Sequence, residues 1–230
     1  DYPLLVPSMN ARAWRYAGQE IPETGGWLGF VYTLSAIALL MATLVELRGL
    51  SLAMLVGSVL LGTPFFLEYG VAQSADVPLS LYFLGSIALL CLYSERAGGE
   101  KGLLVLAGFM AGCAGWTKNE GLVFILALGI SLLVPVVVRP SSTLRRFAAF
   151  AAGLALPLAV IVLFKGIIAS PSEYASNRQY AEVVEKLVSP ARYLTIVSSF
   201  AHTLWSFGEW AANPLIPLLI VAGLSATNRA

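Results

Sequence analysis

Asp76, Lys118 and Glu120 are the residues of this chain best placed to do chemistry. Asp76 closes a short loop that begins at Glu68 and separates two apolar runs, and Lys118-Asn119-Glu120 sits in a second such loop. A carboxylate can take a proton as a general base. An ammonium held close to it can stabilise a departing anionic oxygen, and lysine suits a phosphate as a compact point charge. Both loops are expected to open on the same face, as a multi-pass membrane enzyme would require of its site. Each residue also has a plainer use. Asp76 precedes Val77-Pro78-Leu79, and Asp is a strong helix N-cap. Lys118 can snorkel to an interface, with Glu120 as its partner. Glu68 and Tyr69 read as a helix end. His202, the only histidine, reads as an interfacial residue, since no second His or Cys accompanies it as a metal ligand.

The elements that must position these groups are membrane helices. The chain has 230 residues, 58% hydrophobic and 12% charged, with a mean hydropathy of +0.79, where soluble domains carry roughly 25% charged residues. Apolar runs cover about Trp27–Val45, Leu50–Leu67, Val77–Tyr93, Gly102–Trp116, Leu122–Val138 and Phe147–Ile168, with a further one over Pro214–Leu224. The full runs approach the ~17–25 residues that cross a hydrocarbon core, Gly102–Trp116 being short. In lipid the backbone must satisfy itself, so the runs are read as helices. The expected fold is all-α, a polytopic bundle of six to seven spans in one module over residues 1–230. The chain begins at Asp1 and stops inside a hydrophobic stretch, the pattern expected of a segment incomplete at both ends. Cys91 and Cys113 both fall in spans, which argues against a disulfide framework. The net charge of +1 and the lack of a basic run offer nothing to nucleic acid.

Short positively charged loops stay in the cytoplasm. Loops 46–49, 94–101 and 139–146 hold Arg48, Arg96, Lys101, Arg139, Arg145 and Arg146, whereas loops 17–26, 68–76 and 117–121 hold Lys118 as their single basic residue. The acidic loops are therefore expected outside, and the stretch 169–212 with them. Residues 1–18 are read as an outer juxtamembrane helix lying along the surface. Val6, Met9, Ala13 and Tyr16 share one face of it, and Ser8, Arg12 and Arg15 another. Within 169–212, Ser172 is expected to cap a polar helix reaching Val188, with Glu173, Arg178, Glu182 and Lys186 on a solvated face. Ser189-Pro190 is expected to start an interfacial helix rich in aromatic residues. Gly108-Phe-Met-Ala-Gly112 is a small-xxx-small pattern that lets helix backbones approach closely.

Three segments follow in order: Asp1-Tyr-Pro-Leu-Leu-Val-Pro, then Ala72-Gln-Ser-Ala-Asp76-Val-Pro-Leu, then Gly108-Phe-Met-Ala-Gly-Cys-Ala-Gly-Trp-Thr-Lys118-Asn-Glu-Gly121. Their order and spacing resemble the GT-C membrane glycosyltransferases of the protein-mannosyltransferase and aminoarabinose-transferase type, over most of residues 1–138. The resemblance implies a glycosyltransferase that uses a polyprenyl-phosphate-linked sugar as donor. Its acceptor would be a glycan, lipid or protein. It implies an integral multi-pass protein of a bacterial plasma (inner) membrane, with its site facing the periplasm or exterior. The principal carboxylate of that family lies in the first outer loop, upstream of Asp1. Asp76 then corresponds to the acidic residue of the second outer loop, a candidate catalytic group, and Lys118 to the lysine that holds the lipid phosphate. Asp1, Tyr2, Glu120 and His202 become neighbours of the site. Asn119 and Glu120 depart from the Thr-Lys-Gly turn of the family, and Pro3 stands where some members have a proline pair. No organic cofactor is implied, and the outer carboxylates permit a divalent metal without demanding one.

Two other classes fit the same composition. A transporter or flippase for a lipid-linked sugar or other anion would place ionisable residues near the bilayer midplane, often beside broken helices. A non-catalytic membrane subunit would need no site.

Overall fold

The computed structural model describes residues 4–72, 74–96, 100–137, 140–169, 185, 188–206, 209, 210 and 213. These residues are helical and contain no strand. The helices are α1 (Leu5–Ala17), α2 (Glu23–Arg48), α3 (Leu50–Leu61), α4 (Pro64–Val71), α5 (Asp76–Glu95), α6 (Lys101–Thr117), α7 (Glu120–Leu133), α8 (Pro140–Leu163) and α9 (Pro190–Ser206). A 3₁₀ turn, Val134–Val137, follows α7, and a π-helical turn, Phe164–Ile168, extends α8.

Among the described residues three helices are long and apolar enough to cross a membrane: Glu23–Arg48, Asp76–Glu95 and Pro140–Ile168. The expected count is six to seven, and the run Pro214–Leu224 lies outside the described residues. The run Leu50–Leu67 is two helices, α3 and α4, bent by 64° at their junction, and the pair makes a fourth span only if it is counted as one. The break has a local cause. Gly62 and Thr63 interrupt the run, and Pro64 opens the next helix at its first position, where a missing N–H costs nothing. Lys101–Thr117 and Glu120–Leu133 are apolar but shorter. The second gives way to the 3₁₀ turn at Val134-Pro135, because a proline cannot donate to the helical ladder.

Long helices here carry apolar side chains on all sides. On α2, Tyr32, Thr33, Ala36 and Ile37 are buried in the bundle while Trp27, Phe30, Val31 and Leu34 are exposed. A helix apolar all round its circumference is one expected to be surrounded by protein or lipid. Gly49, at a φ of +96° that L side chains rarely adopt, turns the chain sharply from α2 into α3.

The heart of the bundle is the crossing of α6 and α8. A Cβ at Gly108 would overlap the Phe150 carbonyl, and a Cβ at Gly153 would overlap the Val105 carbonyl. The two backbones therefore touch reciprocally, with Ala107, Ala111 and Phe150 buried around the contact. One turn on, a Cβ at Gly112 would come within 2.6 Å of Pro157. The Gly108–Gly112 pattern is thus a packing device. Helix α5 joins this pair through Ser86, whose buried Oγ donates to the Ala107 carbonyl at 2.9 Å.

Charged side chains collect at two ends of the bundle. Arg48 meets Glu95 at 3.6 Å, and Arg96 meets Glu46 at 3.8 Å and Glu100 at 3.0 Å. At the opposite end lie the starts of α2 and α5 and the α6–α7 turn. Arg145 and Arg146, expected in a loop, instead occupy the second turn of α8, which begins at Pro140.

Helix α1 differs from expectation in its packed face. Val6 and Ala13 are part-buried, but so are Asn10 and Trp14, while Tyr16 is 80% exposed under the Arg12 guanidinium. Trp14 Nε1 donates to the Ile21 carbonyl at 2.7 Å and ties α1 to the start of α2. Helix α9 begins at Pro190, as the Ser189-Pro190 pair predicts, and buries no side chain among the described residues. Trp210, beyond it, returns to the α3–α4 break, where its Nε1 donates to Thr63 Oγ1 at 3.1 Å.

Candidate functional site

Asp76 and Lys118 meet. Lys118 Nζ donates to Asp76 Oδ1 at 2.7 Å, joining loops 42 residues apart in sequence. The lysine side chain is only 20% exposed and the aspartate 47%, so the contact sits in the rim of the bundle and not out in bulk solvent.

Each partner is held by its own local structure. Asp76 is the first residue of α5, with Ala75 in the N-cap position, and its carboxylate is turned to side chains and not to the helix N–H groups. This corrects the reading of Asp76 as a cap. The carboxylate instead accepts from Ser74 Oγ and from Lys118 Nζ, while Ser74 Oγ in turn accepts from the Asp76 backbone N–H at 3.2 Å. A local serine loop therefore orients one carboxylate oxygen and leaves the other for the lysine. The loop is shorter than expected, because α4 continues through Glu68 to Val71. Glu68 and Tyr69 lie exposed in the last turn of that helix, where the Ala72 N–H donates to the Glu68 carbonyl at 3.1 Å.

Lys118 has an extended backbone (φ −151°, ψ 155°) between α6 and α7. Its N–H still bonds to the Ala114 carbonyl at 3.1 Å, and its own carbonyl accepts from Gly121 at 3.0 Å. The turn is this tight because Gly121 lies directly against α6, where a Cβ would overlap the Ala114 carbonyl. The glycine that ends Thr-Lys-Asn-Glu-Gly is thus a close-approach residue that fixes where the lysine leaves the bundle. Glu120 comes within 3.8 Å of Lys118 Nζ but is 61% exposed, a loose ion pair beside a close one.

Sequence reasoning missed one cation of this rim. Lys165 Nζ donates to Asn119 Oδ1 at 2.9 Å. The residue lies in the π-helical turn that ends α8, beside Phe164, which packs edge-on against Trp116 at 5.1 Å. It was hidden because it falls inside an apolar run. Its signal was a lysine four residues from the end of a span, on the side shared with Lys118. Asn119, a departure from the family turn, is the residue that receives it.

Below the rim, Tyr32 of α2 and Tyr82 of α5 bring their hydroxyls to 2.9 Å, and Tyr32 Oη lies 3.2 Å from Met9 Sδ of α1. Asn10 Oδ1 is buried nearby in sequence and has no hydrogen-bond partner among the described residues. The bonds place α1 against the same bundle that carries Asp76.

His202 lies exposed on α9, and no hydrogen bond or ion pair joins it to Asp76, Lys118 or Glu120. Asp1 and Tyr2 fall outside the described residues, as does most of the segment expected to form a polar helix from Ser172. Among the described residues no three His, Cys, Asp or Glu side chains gather around one point. Of the rim carboxylates, Asp76 and Glu120 each face the Lys118 ammonium.

Lys118 thus pairs with Asp76 and, more loosely, with Glu120, and a second ammonium, Lys165, stands one side chain away through Asn119. Comparison with protein-family models, with curated proteins and with solved structures gives no match to this chain.

Proposed function

We propose that this chain is part of a GT-C-type glycosyltransferase that moves a sugar from a polyprenyl-phosphate donor to an acceptor hydroxyl on the non-cytoplasmic membrane face. The observation that carries the reading is the 2.7 Å contact between Lys118 and Asp76, drawn from separate helix-connecting loops to one rim. Two further features support it. Lys165 adds a cation on the far side of Asn119. An apolar groove of ≈ 260 Å³ runs between α7 and α8, walled by Ile125, Gly129, Leu133, Phe147 and Leu154. These are the helices that begin just after Lys118 and end just before Lys165, so the groove suits the lipid tail of a donor whose phosphate sits at the rim.

In the reaction, the acceptor oxygen bonds to the anomeric carbon as the bond from that carbon to the phosphate oxygen breaks. The bonding electrons leave with the phosphate, which gains negative charge. Lys118 stabilises that charge where it develops. Asp76 positions the lysine and orients donor or acceptor. A carboxylate takes the acceptor proton as general base. Attack opposite the leaving phosphate inverts the anomeric centre.

The test uses the full-length protein with radiolabelled polyprenyl-phosphate sugar. Wild type should release the label to an acceptor, and Lys118→Ala should not. Turnover in that variant at the wild-type rate would remove the proposed role. The 64° break between α3 and α4 favours a second reading, a carrier of the lipid-linked sugar, since broken helices mark many transport sites. A carrier would move the donor across sealed vesicles with its sugar–phosphate bond intact.

A further inference from the structure

We propose that the end of the bundle opposite Asp76 holds the phosphate-bearing headgroup of an anionic membrane lipid, bound by Lys101, Arg145 and Arg146. These three side chains, with Ser142, Tyr93 and Leu104, line one cleft of ≈ 220 Å³. The lining residues come from three helices: the C-terminal turn of α5, the first turn of α6 and the first two turns of α8. Leu104 and Tyr93 are buried, at 1% and 9% exposure, and give the cleft an apolar floor.

Charge is the reason to expect a ligand. Three cations face one small volume, and the carboxylates around that end are engaged elsewhere. Glu95 pairs with Arg48, and both Glu46 and Glu100 pair with Arg96. Among the described residues no ion pair joins a carboxylate to Lys101, Arg145 or Arg146. Arg146 lies over the Tyr93 ring at 5.7 Å from its centroid, which holds the guanidinium at the cleft wall. Arg145 Nε donates to the Ser141 carbonyl at 3.4 Å, and the side chain lines the cleft. Two helix N-termini, of α6 and α8, add partial positive charge to the same place. Exposed Lys and Arg scattered over cytoplasmic loops need no partner. Convergence of cations from two helices on one cleft floored by a third is different.

The occupant follows from the position. The cleft lies at the end of α5 and the start of α8, both helices of spanning length, and so at the boundary between apolar and polar surroundings. Basic pockets between membrane helices are headgroup sites of anionic lipids. The site does not rest on glycosyl transfer, since none of its residues touches Asp76 or Lys118.

The experiment is native mass spectrometry of the full-length protein in detergent, with phosphatidylglycerol or phosphatidylcholine added. Phosphatidylglycerol should remain bound to wild type and phosphatidylcholine should not. Lys101→Gln and Arg145→Gln should each weaken retention about fivefold, and the double variant on the order of 20-fold. Arg146 is left in place because it stacks on Tyr93. Should the variants fail to fold, a salt series on wild type replaces them, with retention expected to fall steeply. Equal retention by wild type and double variant, indifference to salt, or equal retention of the two lipids overturns the proposal. So does inorganic phosphate that raises the melting temperature as much as phosphatidylglycerol does, since the ligand is then a soluble anion.

Discussion

The two ends of the bundle handle charge in opposite ways. At the Asp76 end an aspartate and a lysine from distant loops close to 2.7 Å, with the lysine largely shielded and a serine bracing the carboxylate. At the other end the ion pairs Arg48–Glu95 and Arg96–Glu46 are longer, at 3.6 and 3.8 Å, and half exposed, while three cations share a cleft with no carboxylate. Exposed pairs of the second kind contribute little to stability, about 0–1 kcal/mol. The first kind holds two groups in one geometry, which matters more for a site than for a fold. Placement and bracing, more than the number of charges, separate a candidate site from a decorated edge.

Four substitutions in the full-length protein test that contrast, taken in falling order of expected effect. Lys118→Ala should lower the rate of transfer from the lipid-linked donor by about 10²–10³, the usual loss when one electrostatic stabiliser is removed. Asp76→Asn should lower it about tenfold by freeing the lysine. Because the Asp76 carboxylate is turned to side chains and not to the helix N–H groups, folded yield should stay at the wild-type level; a parallel fall in yield and activity would make the carboxylate a structural group. Lys165→Gln keeps a donor for Asn119 but deletes the second cation. A rise in KM for the donor of about fivefold, with kcat little changed, is expected. An unchanged KM would confine Lys165 to holding the turn. Arg48→Gln should move stability by less than about 0.5 kcal/mol and leave transfer alone. A large thermal shift there would erase the distinction between the two ends.

How much of this was legible in the sequence depended on what each signal measures. The meeting of Asp76 with Lys118 could be anticipated because alternating loops must share a side, and that rule uses only chain order and charge. The break between α3 and α4 could not. Hydropathy reports composition and not continuity, so Gly62-Thr63-Pro64 was lost inside a run that reads as one helix. The same blindness concealed Lys165, a single charge in an apolar window. On α1 the spacing placed Tyr16 on the packed side, yet the partner surface selected Asn10 and Trp14, which no helical wheel can know. Arg145 and Arg146 looked like loop residues because charge suggests loops, although the early turns of a helix such as α8 carry charge equally well. The cap reading of Asp76 gave way for a further reason: α5 begins at Asp76 itself, with Ala75 in the cap position, so the boundary lies one residue earlier than a cap at Asp76 requires.

The reciprocal glycine contact between α6 and α8 gives the molecule a fulcrum. Lys118 stands ten residues beyond Gly108 and Lys165 twelve beyond Gly153, arms of about 15 and 18 Å at helical rise. Lys101 and Arg145 hang from the same two beams on the other side of that pivot. With Gly108 and Gly153 pressed backbone to backbone, neither beam can roll without prising the pair apart. The spacing of the rim cations is therefore set by two hydrogen atoms at the middle of the bundle, where side chains would otherwise have stood.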